Sequence, residues 1–138
     1  MNRVLMGHPI HPWDEVKGQD LPFPVMDLHQ FHEDRQRRMD TLLESEHLGI
    51  KRFLALDSAA YREGALDTRT KELLGLVAST VLRCQECITY HAENCIEQGL
   101  ERAELLDALN VAMVVGGSIT IPHIREVWET IVELTEGQ

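Results

Sequence analysis

"ELLGLVASTVLRCQECITYHAENCIEQG", residues 72–99, decides the fold. Residues 73–82 are apolar except for Gly75, Ser79 and Thr80, the pattern of a helix buried on nearly all sides. The second half holds all three cysteines of the chain and one of its seven histidines between Cys84 and Cys95. It ends at Gly99, a residue suited to terminate a helix. At about 100° per residue, Cys84, Cys87, His91 and Cys95 fall within an arc of about 80°, so they line one helix face.

Downstream, "ERAELLDALNVAMVVGGS" puts Leu105, Leu106, Leu109, Ala112 and Met113 on one face and breaks at Gly116-Gly117. Pro122 suits the first turn of a last helix carrying Ile124, Val127, Trp128, Ile131 and Leu134. Upstream, Asp67 is positioned to cap the helix of the quoted stretch. Asp27 can cap an amphipathic helix built on Leu28, Phe31, Met39, Leu42 and Leu43 and reaching about Glu46. Gly49 is expected to break it. A shorter helix with Ile50, Phe53, Leu54 and Leu56 then stops near Gly64. Residues 7–26 hold four of the five prolines and show neither the helix nor the strand period. No segment sustains strand-like alternation. The expected architecture is all-α, with a proline-rich arm over 1–26 and a single bundle of about six helices over 27–138. Two of the helices are too apolar for a lone chain of this size, which points to an oligomer.

A chain of 138 residues suits one domain and buries roughly 65–70% of the surface its unfolded form exposes. Its net charge of −10 repels phosphate backbones and anionic lipid, so neither nucleic acid nor a membrane is an expected partner. The opening "MNRVLMGHPIHPW" has no continuous apolar run, and no stretch is apolar over the roughly 18–20 residues that span a bilayer. A cytoplasmic location is the expectation. Three clustered cysteines argue against a secreted disulfide framework, leaving metal or redox chemistry.

The two chemistries differ in what they ask of the helix. A C-x-x-C pair at a helix start sits where unpaired N–H groups and the macrodipole favour a thiolate. A disulfide between positions i and i+3 closes a small ring, which suits repeated opening better than stapling. Zinc would need four ligands converging on one point, whereas Cys84 and Cys95 are separated by about 16 Å of rise on a continuous helix. Cys95 by itself reads as a buried core residue. Glu72 lies one turn inside a helix that continues apolar, and a carboxylate at such an edge tends to hold its proton near neutrality. The plainer reading is a solvated first-turn glutamate favoured by the helix dipole.

Glu72, then Cys84-x-x-Cys87 twelve residues on, then His91 four residues after Cys87, resembles the signature of the carboxymuconolactone decarboxylase superfamily, in its alkylhydroperoxidase AhpD-like branch. "DTRTKELLGLVAS", Gly99-Leu100 and "DALNVAMVVGG" agree, so the resemblance covers about residues 35–135. It implies an all-α fold assembling into trimers or hexamers, and a thiol-dependent peroxidase in which Cys84 and Cys87 reduce hydroperoxides. Glu72 and His91 would form its proton relay. It suggests a thiol reductant of lipoyl or thioredoxin type; no cofactor and no metal are expected. Where that branch carries a histidine before the second cysteine, this chain has Glu86, which is expected to point away from the pair.

Two other readings stand beside it: a decarboxylase acting on a muconolactone-type acid, and a non-enzymatic or metal-binding oligomeric module. Among the remaining histidines, His123 is a secondary candidate facing the helix of the cysteines. His29 and His32 read as surface residues, and His8 and His11 fall in the arm. Trp13 and Phe23, also in the arm, are expected to cover apolar surface.

Overall fold

Asp27 starts the first helix by accepting the backbone N–H of Gln30 on its carboxylate at 3.2 Å, the ordinary N-cap bond. This comes from a computed structural model, which describes residues 27–136; the proline-rich arm and its Trp13, Phe23, His8 and His11 lie outside the described residues. Among the described residues there are six helices, α1 Leu28–Glu44, α2 Leu48–Ala60, α3 Thr68–Leu82, α4 Gln85–Glu97, α5 Arg102–Gly116 and α6 Ile121–Thr135, with a 3-10 turn at Ser118–Thr120. The expected all-α fold is the observed one among these residues. None of these helices is long and apolar enough to cross a membrane.

The core sits between α3, α4, α5 and α6. Leu76, Ile88, Ala92, Cys95, Leu105, Leu109, Val127 and Ile131 form one buried cluster, closed by Leu100. On α5 the buried residues are Leu105, Ala108, Leu109 and Ala112, the i, i+3, i+4, i+7 stripe. Leu106, expected on that face, lies one step of about 100° around it and is exposed. Val127 and Ile131 of α6 are buried as expected, with Ile124 and Trp128 packed against the cluster. Helix α5 begins with a reciprocal capping box between Glu101 and Glu104, and Arg69 Nη2 donates to Glu104 Oε1 at 2.6 Å, tying α3 to α5.

Helix α3 departs from its expected all-round burial. Its inward residues are Glu72, Gly75, Leu76, Ser79 and Thr80, while Leu74 and Leu82 are exposed. The polar face is tolerable inside because its groups are satisfied. The Ser79 hydroxyl donates to the Gly75 carbonyl, the Thr80 hydroxyl donates to the Leu76 carbonyl at 2.8 Å, and Glu72 finds a partner described below.

The α1–α2 junction also departs from expectation. Gly49 lies inside α2, and the break falls earlier, at Ser45–His47, where Glu46 takes a left-handed φ of 53° and His47 Nδ1 caps α2 by accepting from Ile50 N–H. Helix α2 ends at Ala60, short of Gly64, and neither α1 nor α2 buries a residue. Helix α1 is held to α4 by polar contacts: His32 Nε2 with Glu93 Oε1 at 2.8 Å, and Arg35 with Glu86 and Tyr90.

Candidate functional site

Helix α3 stops without a glycine. Arg83 takes a left-handed φ of 61° and its N–H donates to the Thr80 carbonyl at 3.1 Å, while the Cys84 N–H donates to the Ser79 carbonyl at 3.1 Å. These are the paired bonds of a Schellman ending. The turn delivers Cys84 as the extended N-cap of α4, its carbonyl accepting from Ile88 N–H at 2.9 Å. Cys84 thus precedes the first turn of α4 instead of lying within it. Cys84 and Cys87 are joined by a disulfide, with Cα atoms 5.3 Å apart, and both are partly buried.

One turn further, His91 points into the gap between α4 and α3. Its Nδ1–H donates to Glu72 Oε2 at 2.7 Å, with Glu72 5% and His91 9% exposed. The solvated first-turn reading of Glu72 is therefore replaced by a buried carboxylate–imidazole pair. Assigning the proton to Nδ1 leaves Nε2 as the acceptor for the Tyr61 hydroxyl, 3.3 Å away. The rings of Tyr61 and His91 also lie together, centroids 5.1 Å apart. Burial, then the charges of Asp57 and Glu72, raise the Tyr61 phenol above its ordinary pKa. Sequence reasoning missed Tyr61. It follows α2 in "YREG", where no periodicity marks it, and its only signal is an aromatic with a polar tip at a helix end.

Cys87 and His91 line a cavity of about 200 Å³ together with Arg35, Met39, Asp57, Glu86 and Tyr90. Glu86 does not turn away from the pair, as its helix angle had suggested. It stands on the cavity rim, and Arg35 Nε of α1 lies 3.6 Å from its Oε1. The Arg35 guanidinium in turn stacks 4.2 Å above the Tyr90 ring. Helix α1 supplies a cation there, so the side chain of Glu86 is drawn toward it.

The other candidates separate from this group. His123 reaches α4 as expected, its Nδ1 lying 2.8 Å from Gln85 Oε1, but it does not line the cavity. Cys95 is fully buried at the far end of α4, and burial, reinforced by Glu72, pushes its thiol up to about 12. His29 lies 3.7 Å from Glu33 on the exposed side of α1.

Residues 50–130 match the Carboxymuconolactone decarboxylase family, and the chain belongs to that family. It is similar to a solved protein of Thermotoga maritima, 50% identical, with a TM-score of 0.76 over 78% of this chain and 94% of that one. A second structure, from the same organism and also 50% identical, has a TM-score of 0.73 over 78% of this chain and 91% of that one. It is described as a carboxymuconolactone decarboxylase family protein with a suggested part in antioxidative response. A family member from Legionella pneumophila, solved in its apo form, is 27% identical, with a TM-score of 0.70 over 76% of this chain and 94% of that one. Among curated proteins, an uncharacterized protein of the cox locus of Paracoccus denitrificans is 28% identical over 59% of this chain and 74% of its own length.

Proposed function

We propose that the chain is a thiol-dependent peroxidase of the AhpD-like kind, cycling between a Cys84–Cys87 dithiol and its disulfide. The observation that carries the reading is the joined pair at the start of α4, with Cys87 opening onto a cavity shared with a glutamate-held histidine. The suggested antioxidative part of the Thermotoga relative supports it.

Cys87, the sulfur in the cavity with His91, is the attacking thiol. Its thiolate attacks one oxygen of the hydroperoxide; the S–O bond forms, the O–O bond breaks, and two electrons leave sulfur. The Cys87 thiol passes its proton to Nε2 of His91 as it becomes the thiolate, and the departing alkoxide takes that proton from the ring, which Glu72 holds in place through Nδ1. The Cys84 thiol then attacks the sulfenic sulfur; the S–S bond forms as the S–O bond breaks, and the departing hydroxide takes the Cys84 proton and leaves as water. A dithiol reductant of lipoyl or thioredoxin type returns two electrons and two protons.

The same reading includes assembly into trimers or hexamers. Leu82 and Val114 are each 77% exposed in the single chain, and Phe53, Leu56 and Val115 are also exposed, more apolar surface than a solitary domain usually shows.

The test is intact mass and peptide mapping after alkylating reduced native protein, with and without one equivalent of hydroperoxide. Cys84 and Cys87 are expected to escape alkylation after peroxide, with Cys95 unchanged. Equal labelling of all three before and after overturns the reading. Decarboxylation of a muconolactone-type acid that survives Cys84→Ser would replace it.

A further inference from the structure

We infer that Arg35, contributed by α1, is a further active-site residue whose guanidinium sets the charge around Cys87 and so its reactivity. The inference rests on the thiol reading above. Its observation is a juxtaposition: among the described residues, Arg35 is the only Lys or Arg lining the cavity that Cys87 and His91 share.

The charges facing Cys87 can be stated element by element. Helix α4 brings Glu86, Tyr90 and His91, α2 brings Asp57, and α1 brings Arg35. Glu72 of α3 and Tyr61 stand behind His91. Without Arg35, the side chains around the thiol are acidic or neutral apart from the imidazole, and two carboxylates on the rim oppose thiolate formation. A cavity of about 200 Å³ is equivalent to a sphere roughly 7 Å across, shorter than the Debye length of about 8 Å at physiological salt. A charge lining the same cavity as the sulfur therefore acts on it over a range at which salt screens only partly.

The side chain is held for this purpose. Tyr90 supports the guanidinium face at 4.2 Å, and Glu86 engages only the Nε edge, at 3.6 Å. The two terminal nitrogens have no hydrogen-bonding partner among the described residues. They remain available to a thiolate or to the oxygen that becomes negative as the O–O bond breaks. Because α1 buries no residue, Arg35 is not needed to build the core. Its contacts with Glu86 and Tyr90 tie α1 to α4 and in doing so set the guanidinium at the cavity.

The experiment measures the rate of iodoacetamide alkylation at Cys87 of the reduced full chain between pH 5 and 10, located by peptide mapping, for wild type, Arg35→Gln, Arg35→Lys, Glu86→Gln and Arg35→Gln/Glu86→Gln. Arg35→Gln is expected to move the midpoint up by about 0.5–1 pH unit and to slow alkylation near pH 7 about three- to tenfold. Arg35→Lys recovers part of the shift, Glu86→Gln moves the midpoint down, and the double variant returns close to wild type. Unchanged midpoints in Arg35→Gln and Glu86→Gln overturn the inference, as does a shift in Arg35→Gln that Arg35→Lys does not reduce at all. Alkylation needs no peroxide, so a chain whose cysteines ignore hydroperoxide but whose midpoints move as stated loses the peroxidase reading and keeps Arg35.

Discussion

The imidazole of His91 lies against the backbone of Gly75, so close that a Cβ built at position 75 would stand 2.7 Å from His91 Cε1 and 2.8 Å from Nδ1. The absence of a side chain on α3 is what lets the ring reach Glu72 on the preceding turn of that helix. Gly75→Ala should thus do the opposite of what helix propensity alone would give, a gain of about 0.8–1 kcal/mol for an alanine. The ring is held by Glu72 and cannot swing freely, so it is pushed off the carboxylate. Peroxide-driven oxidation of the pair is expected to slow about a hundredfold, within the range that a positioned acid–base group contributes. A wild-type rate in Gly75→Ala would show that the Glu72–His91 contact is not used.

Glu72 separates charge from shape. Glu72→Gln keeps the length of the side chain and one oxygen to accept from His91, and is expected to lower the oxidation rate about ten- to a hundredfold with little change in unfolding midpoint. Glu72→Ala leaves the buried Nδ1–H without its acceptor, and should cost about 1–3 kcal/mol in denaturant unfolding as well.

Tyr61 holds the other nitrogen of the same ring. Tyr61→Phe retains the ring contact and removes the hydroxyl, and is expected to slow peroxide oxidation about two- to tenfold, the scale of one ordinary hydrogen bond, while iodoacetamide alkylation of Cys87 is unaffected. Equal slowing of both reactions would place Tyr61 with the thiol and not with the proton.

Alkaline pH tests the core. Burial holds the Cys95 thiol up at about 12, against an ordinary value of 9.0, so the unfolded chain loses this proton first. Its stabilising contribution is complete below about pH 9 and is lost as pH rises toward 12, by up to about 1.4 kcal/mol per unit. Tyr61, also raised, acts in the same direction. Comparing urea unfolding of wild type and Cys95→Ala from pH 8 to 10.5 isolates the cysteine: the variant starts less stable and should show the shallower decline.

Assembly makes a further contrast. Leu82→Glu and Val114→Glu change residues that no core contact uses, so helical content should persist while sedimentation shifts from oligomer to single chain. Leu76→Ala, fully buried, is expected to cost about 2–5 kcal/mol. A wild type that sediments as a single chain would leave the exposed apolar residues to another purpose.

The parts legible in the sequence were those with local causes. Asp27 and Asp67 cap through their own carboxylates, Gly99 ends α4 with a φ of 81°, and Gly117 follows α5 with a φ of 80°. Local pattern failed where the deciding partner is remote. Arg83 and Glu46 take left-handed conformations usually left to glycine, and nothing near them in the chain announces it. The inward polar face of α3 makes sense only beside His91 and its own carbonyls. The spacing of Glu72, Cys84, Cys87 and His91 marked residues that the fold places along the first half of α4 and on the facing turn of α3. Arg35 and Tyr61 come from elements beyond that spacing, so no motif could include them.

Cys95 is fully enclosed, and about 16 Å of helix rise separates it from Cys84, far beyond the Cα separations of about 4.4–6.8 Å that a disulfide spans. Cys87 is also about 12 Å of rise from Cys95, so of the three intramolecular pairings that three cysteines allow, this geometry leaves one. An odd thiol is a hazard in a chain that meets oxidants, because it invites scrambling and cross-linking between copies. Here the odd thiol is walled into the core, so the proposed cycle of oxidation and reduction would return the chain to the same covalent isomer each time.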